Sequence, residues 1–204
     1  MSFASDDLFF ADLSKATVIT MYMSAPVNQR LRPNLFKLKP GTRVVSHDFD
    51  MGNWKPDQQL TVPVPGKVYG PPRSEVYLWV IPADFAGTWR WQTDGKDDKA
   101  AVETTLEQTF QRVDAKGTID GRNAAIGKLA VHGDTISFVM AVKAVQRAYR
   151  GRISGDTISG TAVTIGATEA EKQEKPWRAT RVARGRMNIE PEAQSFSSGS
   201  LTRE

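Results

Sequence analysis

With two histidines and no cysteine, this 204-residue chain has little chemistry open to it. Disulfides and thiolate chemistry are excluded. His47 and His132 fit no common zinc spacing, so no metal centre is expected. The reactive or hydrogen-bonding side chains that remain gather at the ends of apolar runs. Residues 16–23 (ATVITMYM) end in Tyr22 and Met23, and residues 42–49 (TRVVSHDF) carry His47, with Asp50 just beyond. Asn28 lies between the two runs. An imidazole near a carboxylate can orient a polar group or take a proton from it. A phenol and an amide can position the same group.

The elements that position these residues follow from the pattern. The run 16–23 is short, β-branched and aromatic, which predicts a strand buried on both faces. Residues 26–39 come next, with Val27, Leu31, Leu35 and Leu38 at helical spacing, Pro26 at the start and Gly41 just past the end. Pro33 predicts a kink or break in that helix. Residues 42–49 form a second strand. Strand, helix and strand make a βαβ unit with parallel strands and a right-handed crossover. Ligands of open α/β sheets sit beyond the carboxyl ends of the strands, so residues 23–28 and 47–54 should form the mouth of a site. Residues 50–72 read as a long loop with an extended piece at 60–64. Residues 75–81 (EVYLWVI) are a third strand.

After Pro82 the pattern changes to alternation broken by Gly and Asp. The predicted strands are 88–92, 102–113, 117–119, 128–131, 135–142, 148–153 and 157–165, with 177–182 closing an antiparallel β-meander or barrel-like domain. The pentapeptide GDTIS occurs at 133–137 and again at 155–159, which predicts two similar hairpins. The organisation expected is therefore α/β in residues 1–85, all-β in 86–186, and a disordered tail over 187–204.

The segment 7–54, DLFFADLSKATVITMYMSAPVNQRLRPNLFKLKPGTRVVSHDFDMGNW, resembles bacterial class I S-adenosylmethionine-dependent methyltransferases. VVSHDFDMGNW is its most specific part. VYLWVIP at 76–82 and GTWRW at 87–91 resemble the next segments of those proteins. The resemblance implies a Rossmann-like, seven-stranded, mostly parallel sheet, of which 16–23 would be the fourth strand and 42–49 the fifth. Residues 75–81 would belong to the antiparallel edge hairpin formed by the last two strands. It further implies that Asp7 accepts a hydrogen bond from the adenine amino group of S-adenosylmethionine, with Leu8 beside the ring. Tyr22 and Met23 would lie by the transferable methyl. Asn28, His47 and Asp50 would face an unknown methyl acceptor, and Trp54 would cover the site or anchor its loop. The Gly-rich cofactor turn of the family, Asp-x-Gly-x-Gly, does not occur in this sequence. The expected protein is thus the second half of such a domain, N-terminally truncated and weak or inactive alone, with a β domain attached.

An alternative is a non-catalytic module, either accessory or enclosing a small apolar ligand between Phe110, Ile136, Phe138, Tyr149 and Ile158. A homodimer or a complementing chain is a further expectation, since a short sheet leaves an open edge. The net charge of +4 is mild, and the basic run Lys172, Lys175, Arg178, Arg181, Arg184 and Arg186 reads as the solvated face of an edge strand. Nucleic acid is not an expected partner. No apolar stretch is long enough for a membrane helix and no signal peptide is legible, so a cytoplasmic location is expected.

Overall fold

The structure, a computed structural model, describes residues 5, 7–93, 99–142, 145–166 and 174–190. Its first part is a four-stranded sheet. β1 (Val18–Met21) leads into helix α1 (Ala25–Leu35), which leads into β2 (Arg43–His47). β1 and β2 pair in parallel, Val18 opposite Arg43 and Met21 opposite Ser46. The hairpin of β3 (Gln58–Pro63) and β4 (Arg73–Val80) completes the sheet, and its order is β1-β2-β4-β3 with β4 antiparallel to both neighbours. The predicted strand, helix and strand are all present.

Helix α1 buries one stripe: Asn28, Leu31, Arg32 and Leu35. This is the i, i+3, i+4, i+7 pattern of a single face. Leu31 and Leu35 pack with Met21, Val44 and Trp79 of the sheet. Pro33 does not stop the helix where it stands. Its missing N–H costs only one bond so close to the end, and the helix closes at Leu35 instead of reaching Lys39. The other face of the sheet has no helix on it among the described residues and leaves Val18, Leu60 and Val62 exposed.

The second part is a nine-stranded antiparallel sheet made of β5 (Gly87–Gln92), β6 (Ala101–Thr109), β7 (Arg112–Ile119), β8 (Arg122–Ala124), β9 (Ile126–His132), β10 (Thr135–Val142), β11 (Val145–Ser154), β12 (Thr157–Thr164) and β13 (Glu174–Arg184). Its order is β8-β7-β6-β5-β13-β12-β11-β10-β9, and it curls into a nearly closed barrel. The two GDTIS copies are the β9–β10 and β11–β12 turns, with Gly133 and Gly155 at φ 57° and 58°. Alternate residues fill the interior, where Trp91, Phe138, Tyr149 and Trp177 pack ring against ring with centroids 4.9–5.9 Å apart.

Several expectations are corrected here. Residues 102–113 are not one strand but two, β6 and β7, reversed at Phe110–Gln111. Residues 117–119 belong to β7, and the short β8 is additional. Phe110 does not face the barrel interior. It belongs to the core of the first sheet, unlike Ile136, Phe138, Tyr149 and Ile158, which do line the barrel. That interior is filled and keeps a void of about 10 Å³, room for one water at most. The ligand-enclosing alternative is therefore not favoured. The basic run does not lie on an edge strand: β13 is paired on both sides, by β5 and β12. Arg181 on it is buried. Its guanidinium donates to the carbonyls of Ala86 and Asp84 at 2.7 and 2.6 Å and stacks on Trp89. Lys172 lies outside the described residues. The start of the expected tail is also ordered into the fold, because Asn188 bridges to Thr109 and accepts from the Phe110 N–H at 3.0 Å. Residues 191–204 lie outside the described residues.

Candidate functional site

The carboxyl ends of β1 and β2 lie side by side because the strands are parallel and in register. Tyr22 follows β1 and is 67% exposed. Its ring meets His47, the last residue of β2, with centroids 4.8 Å apart, and Phe49 at 6.0 Å. Three aromatic rings thus form an exposed cluster at the strand ends, where the mouth of a site is expected. Met23 is half-buried beside them.

Behind the mouth, α1 grips the loop 47–54. Asn28 is fully buried, and its amide nitrogen lies 3.1–3.2 Å from Ser46 Oγ and from the Phe49 and Asp50 carbonyls. Its Oδ1 is buried without a hydrogen-bond partner. One turn on, Arg32 donates to the Met51 carbonyl and to Asn53 Oδ1. Burial lowers the Arg32 pKa and the nearby Asp50 carboxylate opposes that shift. A guanidinium stays charged regardless, so its burial is compensated by the loop carbonyl, Asn53 and the Phe110 ring beneath it.

Asp50 does not pair with His47. Its Oδ1 accepts from the Gly52 N–H at 3.0 Å, and Gly52 takes a φ of 66° in the turn so formed. The acid beside His47 is Asp48, with Oδ2 3.8 Å from Nε2. Asp48 also sits at positive φ, 62°. Its carboxylate accepts from Lys67 of the β3–β4 hairpin and from the Glu75 N–H, and these bonds hold its pKa below the ordinary value. Trp54 is fully buried and anchors the end of the loop. Its carbonyl accepts from Trp79 Nε1 at 2.9 Å. Asp7 is exposed, and its Oδ1 accepts from the Phe9 N–H in a local turn; Leu8 is half-buried against the first core.

The structure therefore brings together Tyr22 and His47, and Asn28 with the backbone of Asp50. It separates the side chains of His47 and Asp50. Arg32, Asp48, Phe49 and Lys67 are site residues that sequence reasoning missed. Arg32 had a signal, since Asn28 and Arg32 stand four apart on the stripe that carries Leu31 and Leu35. Lys67 had none, because a long hairpin brings it to Asp48. Among the described residues, no three or more histidine or acidic groups gather to hold a metal, and no helix is long and apolar enough to cross a membrane.

Residues 1–58, which span β1, α1, β2 and the loop after it, match the ANTKMT methyltransferase domain. The match covers the first sheet's parallel pair and helix and none of the barrel. Over 81 residues the chain is 43% identical to a protein-lysine N-methyltransferase of Saccharolobus islandicus (strain REY15A), covering 39% of this chain and 47% of that one. It is also 50% identical to an RNA methyltransferase from Salinibacter ruber, solved with S-adenosyl-L-homocysteine, over 41% of this chain and 49% of that one, with a TM-score of 0.34. The chain thus spans about half the length of these relatives.

Proposed function

We propose that this chain serves S-adenosylmethionine-dependent methyl transfer to an amine, and that the Tyr22–His47–Phe49 mouth receives the acceptor. The observation that carries this reading is the aromatic mouth at the carboxyl ends of two parallel strands, within methyltransferase-family sequence. The sheet order supports it, since a parallel pair joined by a helix and flanked by an antiparallel hairpin fits the second half of a class I methyltransferase sheet. The name of the Saccharolobus relative supports a lysine amine as acceptor. Aromatic faces attract an ammonium group and guide an alkyl-amine chain.

The residues present fit one side of the cofactor. Asn28 is the exception among the expected site residues: it is fully buried behind the mouth and holds the loop there, so it faces neither acceptor nor cofactor. Asp7 and Leu8 would meet the adenine, and Tyr22 and Met23 the methyl-bearing end. When bound, S-adenosylmethionine supplies an electrophilic methyl group on a sulfonium. This chain holds the acceptor in line with it, which is most of what such a displacement needs. An amine attacks only with its lone pair free. In our reading His47 takes that proton, the Asp48 carboxylate steadies the imidazolium, and Asp50 keeps the loop shaped for both.

Calorimetric titration with S-adenosylmethionine and a methyl-transfer assay on lysine-bearing peptides test the proposal. Binding weaker than micromolar is expected, because this chain carries only one side of the cofactor's cradle, and the peptide methylation it supports should fall about 100-fold or more with His47→Ala and also fall with Tyr22→Ala. Full methylation by both variants would refute the assigned mouth. No transfer even at millimolar S-adenosylmethionine would refute the activity.

A further inference from the structure

We infer that the barrel acts on the candidate site through the β6–β7 turn, and that Gln111 and Phe110 are positioning residues for the 47–54 loop. The inference rests on the methyl-transfer reading for its functional consequence, but its geometry stands independently. Both ends of the Gln111 amide are committed to the far end of the loop. Oε1 accepts from Trp54 Nε1 at 2.8 Å, and Nε2 donates to the Lys55 carbonyl at 2.7 Å. The Phe110 ring leaves its own barrel and stacks on Trp54, centroids 5.8 Å apart and 16° from parallel. Arg32, which holds Met51 and Asn53, lies over the Phe110 ring, 5.5 Å from its centroid. The segment that ends the described chain adds a third contact, since Asn53 Nδ2 donates to the Glu190 carbonyl.

The backbone of the turn argues in the same direction. Phe110 stands at φ 54°, a region that bulky residues rarely enter. The next turn of the same meander uses Asp120 and Gly121 at φ 48° and 76°, residues suited to such angles. A turn that only reversed the chain would be better served by that chemistry. A strained phenylalanine persists when its surroundings hold it, and here the surroundings are the site loop. Gln108 secures the turn from inside the barrel, donating to the carbonyls of Phe110 and Ala83 at 2.8 and 2.9 Å. The loop is thus clamped between α1 on one side, through Asn28 and Arg32, and the barrel on the other. The barrel then sets how firmly His47 and Phe49 are presented to an acceptor.

The test uses the full chain with Gln111→Met, which keeps length but loses both bonds, and Gln111→Glu, which keeps the acceptor for the Trp54 N–H. Amide hydrogen exchange is read across residues 48–54 and across β10 to β12, with the Trp54 indole resonance and S-adenosylhomocysteine affinity measured alongside. Gln111→Met should raise loop exchange about 10-fold or more, shift the indole signal, and leave β10 to β12 unchanged. Gln111→Glu should restore most of the loop protection. Unchanged loop exchange in Gln111→Met overturns the inference, as does equal loss of protection in the barrel strands or no rescue by Gln111→Glu. If the loop loosens as expected but the wild-type chain binds no S-adenosylhomocysteine even at millimolar concentration, the clamp stands and the methyl-transfer reading falls.

Discussion

Asp48 and Asp57 show how two carboxylates of one small sheet respond in opposite senses to their settings. The Lys67 ammonium and then the Glu75 N–H favour the ionised form of Asp48, so its folded pKa lies below the unfolded one. The stability it contributes is therefore complete above about pH 3.9 and shrinks as pH falls through the depressed folded value. Asp48→Asn should keep the left-handed backbone, which asparagine tolerates, and lose this acid-sensitive contribution. Melting curves from about pH 5 downward should fall less steeply for the variant than for the wild type. Burial acts first on Asp57 and raises its pKa, against the Val80 N–H at 2.7 Å and the distant His132. For this group ionisation costs stability, and the cost grows as pH rises from about 3.9 through the raised folded value. Asp57→Asn preserves an acceptor for Val80 and removes the charge. A higher Tm than wild type is expected at pH 7, and no such gain at pH 3.

At the scale of elements, the barrel is an antiparallel meander in which one register pair, Gly151 opposite Gly160, has no room for a side chain. A Cβ on Gly160 would stand 2.0 Å from the Arg150 carbonyl oxygen, and one on Gly151 would stand 2.4 Å from the Trp177 ring. Gly151 leaves the slot that the indole fills, and Gly160 lets the β11 backbone come close. Gly160→Ala must move backbone against backbone and should cost about 1–3 kcal/mol, seen as a lower denaturation midpoint with a shifted Trp177 emission. Period-two alternation made most of this meander readable from the sequence, and the GDTIS turns marked two hairpins correctly. Phe110–Gln111 was unreadable because a turn without Gly, Asn, Asp or Pro carries no local signal. β8 was missed because three residues are too few to show a period. The basic residues of β13 suggested an edge, but Arg181 satisfies its donors on carbonyls and an indole face inside the fold, a tertiary solution that composition does not announce. In the candidate site, Tyr22 and His47 were legible as strand ends. Asp48 and Lys67 were not, because their contact depends on a positive φ and on a long hairpin closing across 19 residues.

For the whole molecule, the two sheets share one structural joint. Trp54 and Phe36 of the first sheet's core pack on Phe110, a residue borne by the second, and Trp79 packs on Trp54 in turn. The Ala83 N–H donates to the Gly133 carbonyl, and Gly133 packs against Gly41, so the contact continues along the barrel rim. The first sheet is small and, among the described residues, has one face covered by a helix, which leaves it dependent on this joint for part of its buried area. Heating the wild-type chain should therefore give one cooperative transition. Phe110→Ala removes a buried ring from the centre of the joint, and about 3–5 kcal/mol is the usual cost of such a cavity. The loss should fall unequally. The barrel keeps its own interior, because Phe110 contributes nothing to it, while the first sheet loses the ring that caps Trp54. Calorimetry of Phe110→Ala should resolve an early transition of the first sheet ahead of the barrel, with exposure of Trp54 marking the earlier one. A single transition at the wild-type temperature would mean that each sheet holds itself together and that the joint is only a contact.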